Sequence, residues 1–399
     1  MAKSSGPALA TGNELTITQL IPLLKRNAKK KQPVFIWGPP GLGKSTIVAS
    51  LAKDLGGYCI DLRLSQLGPQ DLCGIPYYNK EDNTMSWAHP VLLPTKKFAE
   101  TIKGTIILFL DEANLCSPAV AAQAYQLIND RKCGTYELPS NVVVFAAGNS
   151  EKDGAMVQKM PKPLSNRYTH YEVKADFDSW LDWALIAKIH PDIVAFISQS
   201  PNRLFQFDAT SPEKAFATPR SWTFGSNLIT IDEDDEDYLS DSDIRNLIGS
   251  AVGYGMASEY MGFLKVGKNL PKATDILSGK VTTLKITDIS AHYQLITAIL
   301  YAMKDFWDSN STPTGVMEKT TDGRTYETRK WKSDKVKESW INQFNNFVYF
   351  IMNNFSIEMG ALGARIAMKN YNFGKSVDLK KLKYFGDFAE KYGEYLVDK

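Results

Sequence analysis

The sequence predicts an α/β fold: a largely parallel sheet covered by helices on both faces, followed by a long helical region. Three observations lead there. An apolar run of strand length, Pro33 to Trp37, passes directly through a glycine-rich turn into a helical stretch, Lys44 to Leu55. Tyr58 to Leu62, Thr105 to Leu110 (TIILFL) and Val142 to Ala147 (VVVFAA) add three more short apolar runs interleaved with helical patterns, the mark of strands buried on both faces. After about Tyr171 the strand signals fade, and Ser179–His190, Ser242–Phe263, Ala291–Trp307 and Trp340–Met352 carry helical periodicity.

Taken in order, residues 1–14 are polar and rich in small side chains, and are expected to be disordered; they lack the hydrophobic run of a signal peptide or anchor. Leu15 to Asn27 has apolar residues at near-helical spacing and ends in the basic run Lys29–Lys31, which reads as an entry helix. The α/β core is placed at 15–172, a helical domain at 173–281 and a helical C-terminal extension at 282–399. Two polar stretches interrupt the helices, the acidic run Asp232–Asp237 and the glycine-containing segment Asp308–Arg329; the first reads as a solvated loop or as a surface for a basic partner.

Composition excludes some classes. Of 399 residues, 44% are hydrophobic and 23% charged, the balance of an ordinary soluble enzyme. The 46 basic and 44 acidic side chains leave a net charge of +2, too small for a general field that would draw in nucleic acid. Cys59, Cys73, Cys116 and Cys133 form no C-x-x-C pair and the four histidines have no metal-ligand spacing, which points to a reducing interior. No run approaches the roughly 18 to 20 apolar residues needed to cross a bilayer, so a cytoplasmic protein without membrane contact is expected.

The strongest signal is Gly38-Pro39-Pro40-Gly41-Leu42-Gly43-Lys44-Ser45, which matches G-x-x-x-x-G-K-[ST] between a strand and a helix and continues into Thr46. Backbone N–H groups of such a loop close around phosphates, and the following helix N-terminus favours negative charge. Lys44 is assigned to the β/γ-phosphate oxygens of ATP and Ser45 to Mg²⁺. A second site follows at the end of the strand Ile106–Leu110, where Asp111 and Glu112 stand in sequence. Carboxylates at the C-terminal end of a parallel strand reach the same crevice as the phosphate loop. Asp111 is then the second Mg²⁺ ligand and Glu112 the group that polarises the attacking water.

This order of elements resembles the AAA+ superfamily of P-loop NTPases, and in detail its MoxR-like branch, related to RavA and the magnesium chelatase ATPase subunits. The likeness runs from about Thr18 to Gly279 and is most specific between Ile36 and Arg167. It implies an AAA+ core followed by a helical lid. Asn149, at the end of Val142–Gly148, resembles the sensor 1 residue that orients the lytic water; read from the residue alone, a buried cap of a turn is the better reading. Arg167, in Pro163-Leu-Ser-Asn-Arg167-Tyr168, resembles the arginine finger that reaches a neighbouring subunit, although a surface arginine in an ion pair fits the same position. Arg220, in Ala217-Thr-Pro-Arg220-Ser-Trp222, resembles sensor 2 at the start of a lid helix; pairing with an acidic helix neighbour is the alternative.

Between the two nucleotide motifs, Leu64–Pro76 and Trp87–Pro94 resemble the helix-and-insert region that faces the pore of a ring. Tyr77, Tyr78 and Trp87 either grip a partner there or pack in a local hairpin. Asp130–Leu138, with a turn at Gly134, reads as a second short hairpin. The resemblance further implies ATP hydrolysis in a homo-oligomeric ring, a hexamer, that remodels protein partners, sometimes with a von Willebrand factor A domain protein. A nucleic-acid motor or loader of the helicase or clamp-loader type is the alternative; the absence of any Lys or Arg from Leu64 to Asn79 weighs against it.

Overall fold

The computed structural model describes residues 14–149, 160, 162–208, 213–231, 238–319 and 325–396. The acidic run Asp232–Asp237 and residues 1–13 lie outside these. The chain divides into two compact units, the first comprising residues 1–179 with the short segments 207–213 and 218–220, and the second the remainder.

In the first unit, α1 (Ile17–Lys30) starts at a capping box in which the Thr16 side chain accepts from the Gln19 N–H and Gln19 returns the bond. Leu20, Leu24 and Ala28, spaced four apart, form its buried stripe, and Lys31 in the left-handed region stops it. Strand β1 (Val34–Trp37) leads through the glycine-rich loop to α2 (Lys44–Asp54), then β2 (Tyr58–Arg63) and the short α3 (Gln70–Cys73). A hairpin of β3 (Ile75–Asn79) and β4 (Thr84–Ala88) precedes α4 (Lys96–Thr101) and β5 (Ile106–Asp111). Next come α5 (Pro118–Asp130), the small hairpin β6 (Lys132–Cys133) and β7 (Tyr136–Glu137), β8 (Val142–Gly148), α6 (Lys162–Ser165) and β9 (Thr169–Glu172).

Five of these strands form one parallel sheet in the order β2-β5-β8-β1-β9. Residues alternate between its two faces, and both faces are covered. Ile106, Leu108 and Leu110 with Val142, Val144 and Ala146 face a core completed by Leu72, Val120 and Leu127, while Ile107, Phe109, Val143 and Phe145, on the opposite face, are equally inaccessible. Because β5, β8 and β1 are adjacent and parallel, their C-terminal ends deliver Asp111, Gly148 and Trp37 to one edge. That edge carries the site.

Arg131 secures the approach to β8. It ends α5 in the left-handed conformation, and its guanidinium donates to the carbonyls of Pro139 at 2.7 Å and Val142 at 2.9 Å. Arg131→Ala is expected to cost about 2–3 kcal/mol, since two charge-assisted bonds to carbonyls at the start of β8 disappear. A fall of the chemical-denaturation midpoint in circular dichroism checks this; an unchanged midpoint refutes it.

The second unit is mostly helical. It contains most of α7 (Phe177–Ile186), then α8 (Pro191–Gln199), most of α9 (Pro219–Ile229), α10 (Asp241–Val252), α11 (Tyr254–Gly267), α12 (Ala273–Leu277) and α13 (Ile289–Asn310). A hairpin of β10 (Ser311–Lys319) and β11 (Thr325–Trp331) separates these from α14 (Asp334–Asn354), α15 (Ile357–Arg365) and α16 (Phe385–Leu396). Helix α13 packs on α8 and α11, and α14 on α12, so helices from before and after residue 281 share a core. Trp340 is at its centre, with Phe306, Trp307, Trp331 and Phe373 around it and its indole N–H on the Ser376 hydroxyl at 2.7 Å.

Two sequence expectations change here. The single helix expected over Ser242–Phe263 is two, because Gly253 (φ 97°) breaks the chain between α10 and α11. The polar stretch from Asp308 to Arg329 is not an irregular interruption: much of it forms the β10–β11 hairpin. Its base is held by Arg329, whose guanidinium donates to the Ser311 hydroxyl at 2.8 Å and the Asp308 carbonyl at 3.1 Å. Among the described residues no helix is long and apolar enough to cross a membrane.

Candidate functional site

The loop after β1 is shaped by glycine. Gly41 (φ 82°) and Gly43 (φ 79°) occupy the left-handed region, and a Cβ on Gly41 would lie 2.8 Å from the Thr218 hydroxyl oxygen. Leu42 points inward and is buried. The turn opens into α2, whose first turn holds no acidic side chain, so the helix dipole there favours an anion. Thr46, in that first turn, is exposed.

Lys44 is 9% exposed and spans the site. Its ammonium donates to the carbonyls of Gly38 at 2.7 Å and Pro39 at 3.0 Å, and to Asn149 Oδ1 at 3.4 Å. Ser45 Oγ donates to Asp111 Oδ2 at 2.9 Å. The phosphate loop therefore meets the ends of two strands on one side of β1: Lys44 touches the end of β8 and Ser45 the end of β5. Ser45 Oγ and Asp111 Oδ2 are hard oxygen donors side by side, which suits Mg²⁺ completed by water and phosphate oxygens.

Glu112 leaves the strand in the left-handed region (φ 54°), an uncommon conformation for a residue with a Cβ. Its N–H returns to Asp111 Oδ1 at 2.9 Å, and its carboxylate accepts a hydrogen bond from the Ser65 hydroxyl. Ser65 comes from the turn after β2, the strand beside β5. A third carboxylate, Asp61 on β2, is held above its ordinary range by burial and by the charge of Asp111, with Arg63 pulling the other way. Neither Ser65 nor Asp61 belongs to a linear motif; strand adjacency alone brings them here. Asn114 was also missed. It is 6% exposed, and its Nδ2 donates to the main-chain carbonyl of Asn149 at 2.7 Å.

Arg220 and Arg167 differ in placement. The Arg220 N–H donates to the Gly41 carbonyl at 3.3 Å, which sets this residue at the phosphate loop. Arg167 lies over the Tyr125 ring of α5, 4.3 Å from its centroid, and donates to the Tyr125 hydroxyl, to Asn129 and, at 2.7 Å, to the Pro163 carbonyl. None of these partners belongs to the phosphate loop. In the β3–β4 hairpin Ile75, Tyr77, Tyr78 and Met85 are each more than half exposed, whereas Trp87 is partly buried.

Sequence comparison bears on the same segment. Residues 33–168 match the AAA domain, dynein-related subfamily. The match covers 136 of the chain's 399 residues. The sheet order, the loop after β1 and the acidic pair after β5 all fall inside that match, so the nucleotide-binding AAA+ fold of this segment rests on both sequence and topology. Midasin of Giardia intestinalis is 26% identical over 175 residues, 42% of this chain and 3% of that protein. Midasin of Dictyostelium discoideum is 26% identical over 154 residues, 36% of this chain and 2% of that protein. The chain thus spans a small fraction of these curated relatives. Among solved structures, NtrX of Brucella abortus in complex with ADP aligns with 74% of this chain and 63% of its own at 16% identity and a TM-score of 0.37, too low to extend the assignment.

Proposed function

We propose that the AAA domain hydrolyses ATP as part of a homo-oligomeric ring of the MoxR-like type, a hexamer, and that hydrolysis drives remodelling of a protein partner. The observation that supports this best is the bonded set joining Lys44 to Asn149 and Ser45 to Asp111, because it gathers phosphate, metal and water functions at one strand edge. Lys44 neutralises the β/γ-phosphate oxygens in this reading, and Ser45 and Asp111 hold Mg²⁺, which when bound offsets charge on the same oxygens. Glu112 turns from the Ser65 hydroxyl towards a water and takes up its proton as that water attacks the γ-phosphorus, whose bond to the β–γ bridging oxygen breaks so that ADP leaves. Asn149 orients the water, and Arg220 contacts the γ-phosphate from the same chain.

Arg167 is proposed to act in a neighbouring subunit. Its position after α6, packed against Tyr125 of α5 and away from the phosphate loop of its own chain, agrees with such a role. Arg167→Ala is expected to lower turnover about a hundredfold while nucleotide affinity stays within about twofold, since the guanidinium would act on transition-state charge and not on ground-state binding. The test is a steady-state ATPase assay beside fluorescent-nucleotide titration and native mass measurement. An assembled Arg167→Ala protein that turns over at the wild-type rate refutes the trans role, and a wild-type chain that stays monomeric with ATP refutes the ring.

Protein remodelling is favoured over nucleic-acid transport by the β3–β4 hairpin. Its exposed Ile75, Tyr77, Tyr78 and Met85 offer an apolar grip, and the segment Leu64–Asn79 carries no cation to meet a phosphate backbone. A partner with a von Willebrand factor A domain and a cytoplasmic location belong to the same proposal.

A further inference from the structure

We infer that Asn114 is a positioning residue that fixes Asn149 and the Glu112 turn in one rigid arrangement, an inference that rests on the proposed ATPase reading. The argument begins at the end of β8. Gly148 is the last residue of that strand, so the carbonyl of Asn149 lies beyond the sheet ladder. Its acceptor is served by the Asn114 side chain at 2.7 Å. A carbonyl can only accept, so the Asn114 amide must present its NH₂ group there, and its rotamer is defined by chemistry. Alongside, the Ala113 N–H donates to the Ala147 carbonyl at 2.9 Å. Residues 113 and 114 therefore clamp residues 147 to 149 at two points.

Space is reserved for this clamp. A Cβ on Gly148 would stand 2.3 Å from Asn114 Oδ1 and 2.9 Å from the Phe35 ring, so any larger residue would expel the amide. Both ends of the clamp adjoin reacting groups. Immediately before it is Glu112, whose left-handed backbone needs support from its surroundings. At the other end, Asn149 presents Oδ1 to the Lys44 ammonium. Asn114 bonds to the main chain of Asn149 and acts through Asn149 and the Glu112 turn.

The test is Asn114→Asp, nearly the same size, which replaces the donor NH₂ by an oxygen facing a carbonyl. ADP affinity should stay within about twofold, because the phosphate loop is untouched, while affinity for a non-hydrolysable ATP analogue falls about tenfold and turnover about a hundredfold. Lowering the pH from 8 to 6 should raise the variant-to-wild-type turnover ratio, since a protonated Asp regains an O–H donor for the same carbonyl. Asn114→Ala should show the same losses with no recovery at low pH. The inference is overturned if either variant discriminates and hydrolyses like wild type, if ADP and analogue weaken together, or if both variants respond alike to pH. A wild-type chain that binds neither nucleotide removes the proposed function and this inference with it. Normal wild-type binding with unaffected variants removes only the inference.

Discussion

Lys44→Ala is expected to abolish measurable nucleotide binding at micromolar protein, and with it the proposed hydrolysis. The side chain is nearly inaccessible, yet its ammonium reaches two carbonyls of the loop and the Asn149 side chain. A triphosphate would exchange these neutral acceptors for anionic oxygens, which form stronger, charge-assisted bonds. Losing them costs about 3 kcal/mol or more, roughly 150-fold in Kd. The truncation also leaves the Gly38 and Pro39 carbonyls without their cation, so the loop should resist closing around an anion. Titration with a fluorescent ATP analogue checks the outcome, with circular dichroism to verify folding. A Kd within threefold of wild type would move the phosphate site elsewhere.

Glu112→Gln has the opposite signature. Nucleotide binding should be retained, because phosphate and metal contacts are assigned to Lys44, Ser45 and Asp111, but turnover is expected to fall about a thousandfold, within the range for loss of a general base. The amide keeps the length of the glutamate and can still accept from Ser65 through its oxygen, so the left-handed turn at residue 112 should survive. What disappears is the negative charge that draws a proton from water. Single-turnover ATP cleavage separates this from slow product release. Equal cleavage rates in variant and wild type would take Glu112 out of its assigned role.

Much of this site was legible because its chemistry is local. A phosphate loop is a contiguous segment whose glycines, lysine and hydroxyl must follow one another, so Gly38 to Ser45 declared themselves in order. Asp111 and Glu112 followed from an apolar strand ending in two acids, whereas Asn149 was singled out only through the family resemblance, since an Asn after an apolar strand is by itself better read as a buried cap of a turn. Ser65, Asp61 and Asn114 were silent for a different reason. Each acts across the sheet or across a turn, and a lone Ser, Asp or Asn carries no sequence signature until strand order supplies its neighbour. The β10–β11 hairpin was hidden because its strands have few apolar residues to alternate; its bulge at Gly315 (φ 76°) and the Arg329 bonds at its base replace a buried face.

The sequence alone determined the parallel α/β core, the phosphate loop and the carboxylate pair, since buried strands and loop conformations are set by residues adjacent in the chain. Only the tertiary structure decided which strands are neighbours, and therefore that β2 brings Ser65 to Glu112 and that Asn114 ties the acidic turn to the end of β8. The physical reason is range. Backbone preference and hydrophobic period act over a few residues, whereas a hydrogen bond between separate strands exists only after the sheet has chosen its order.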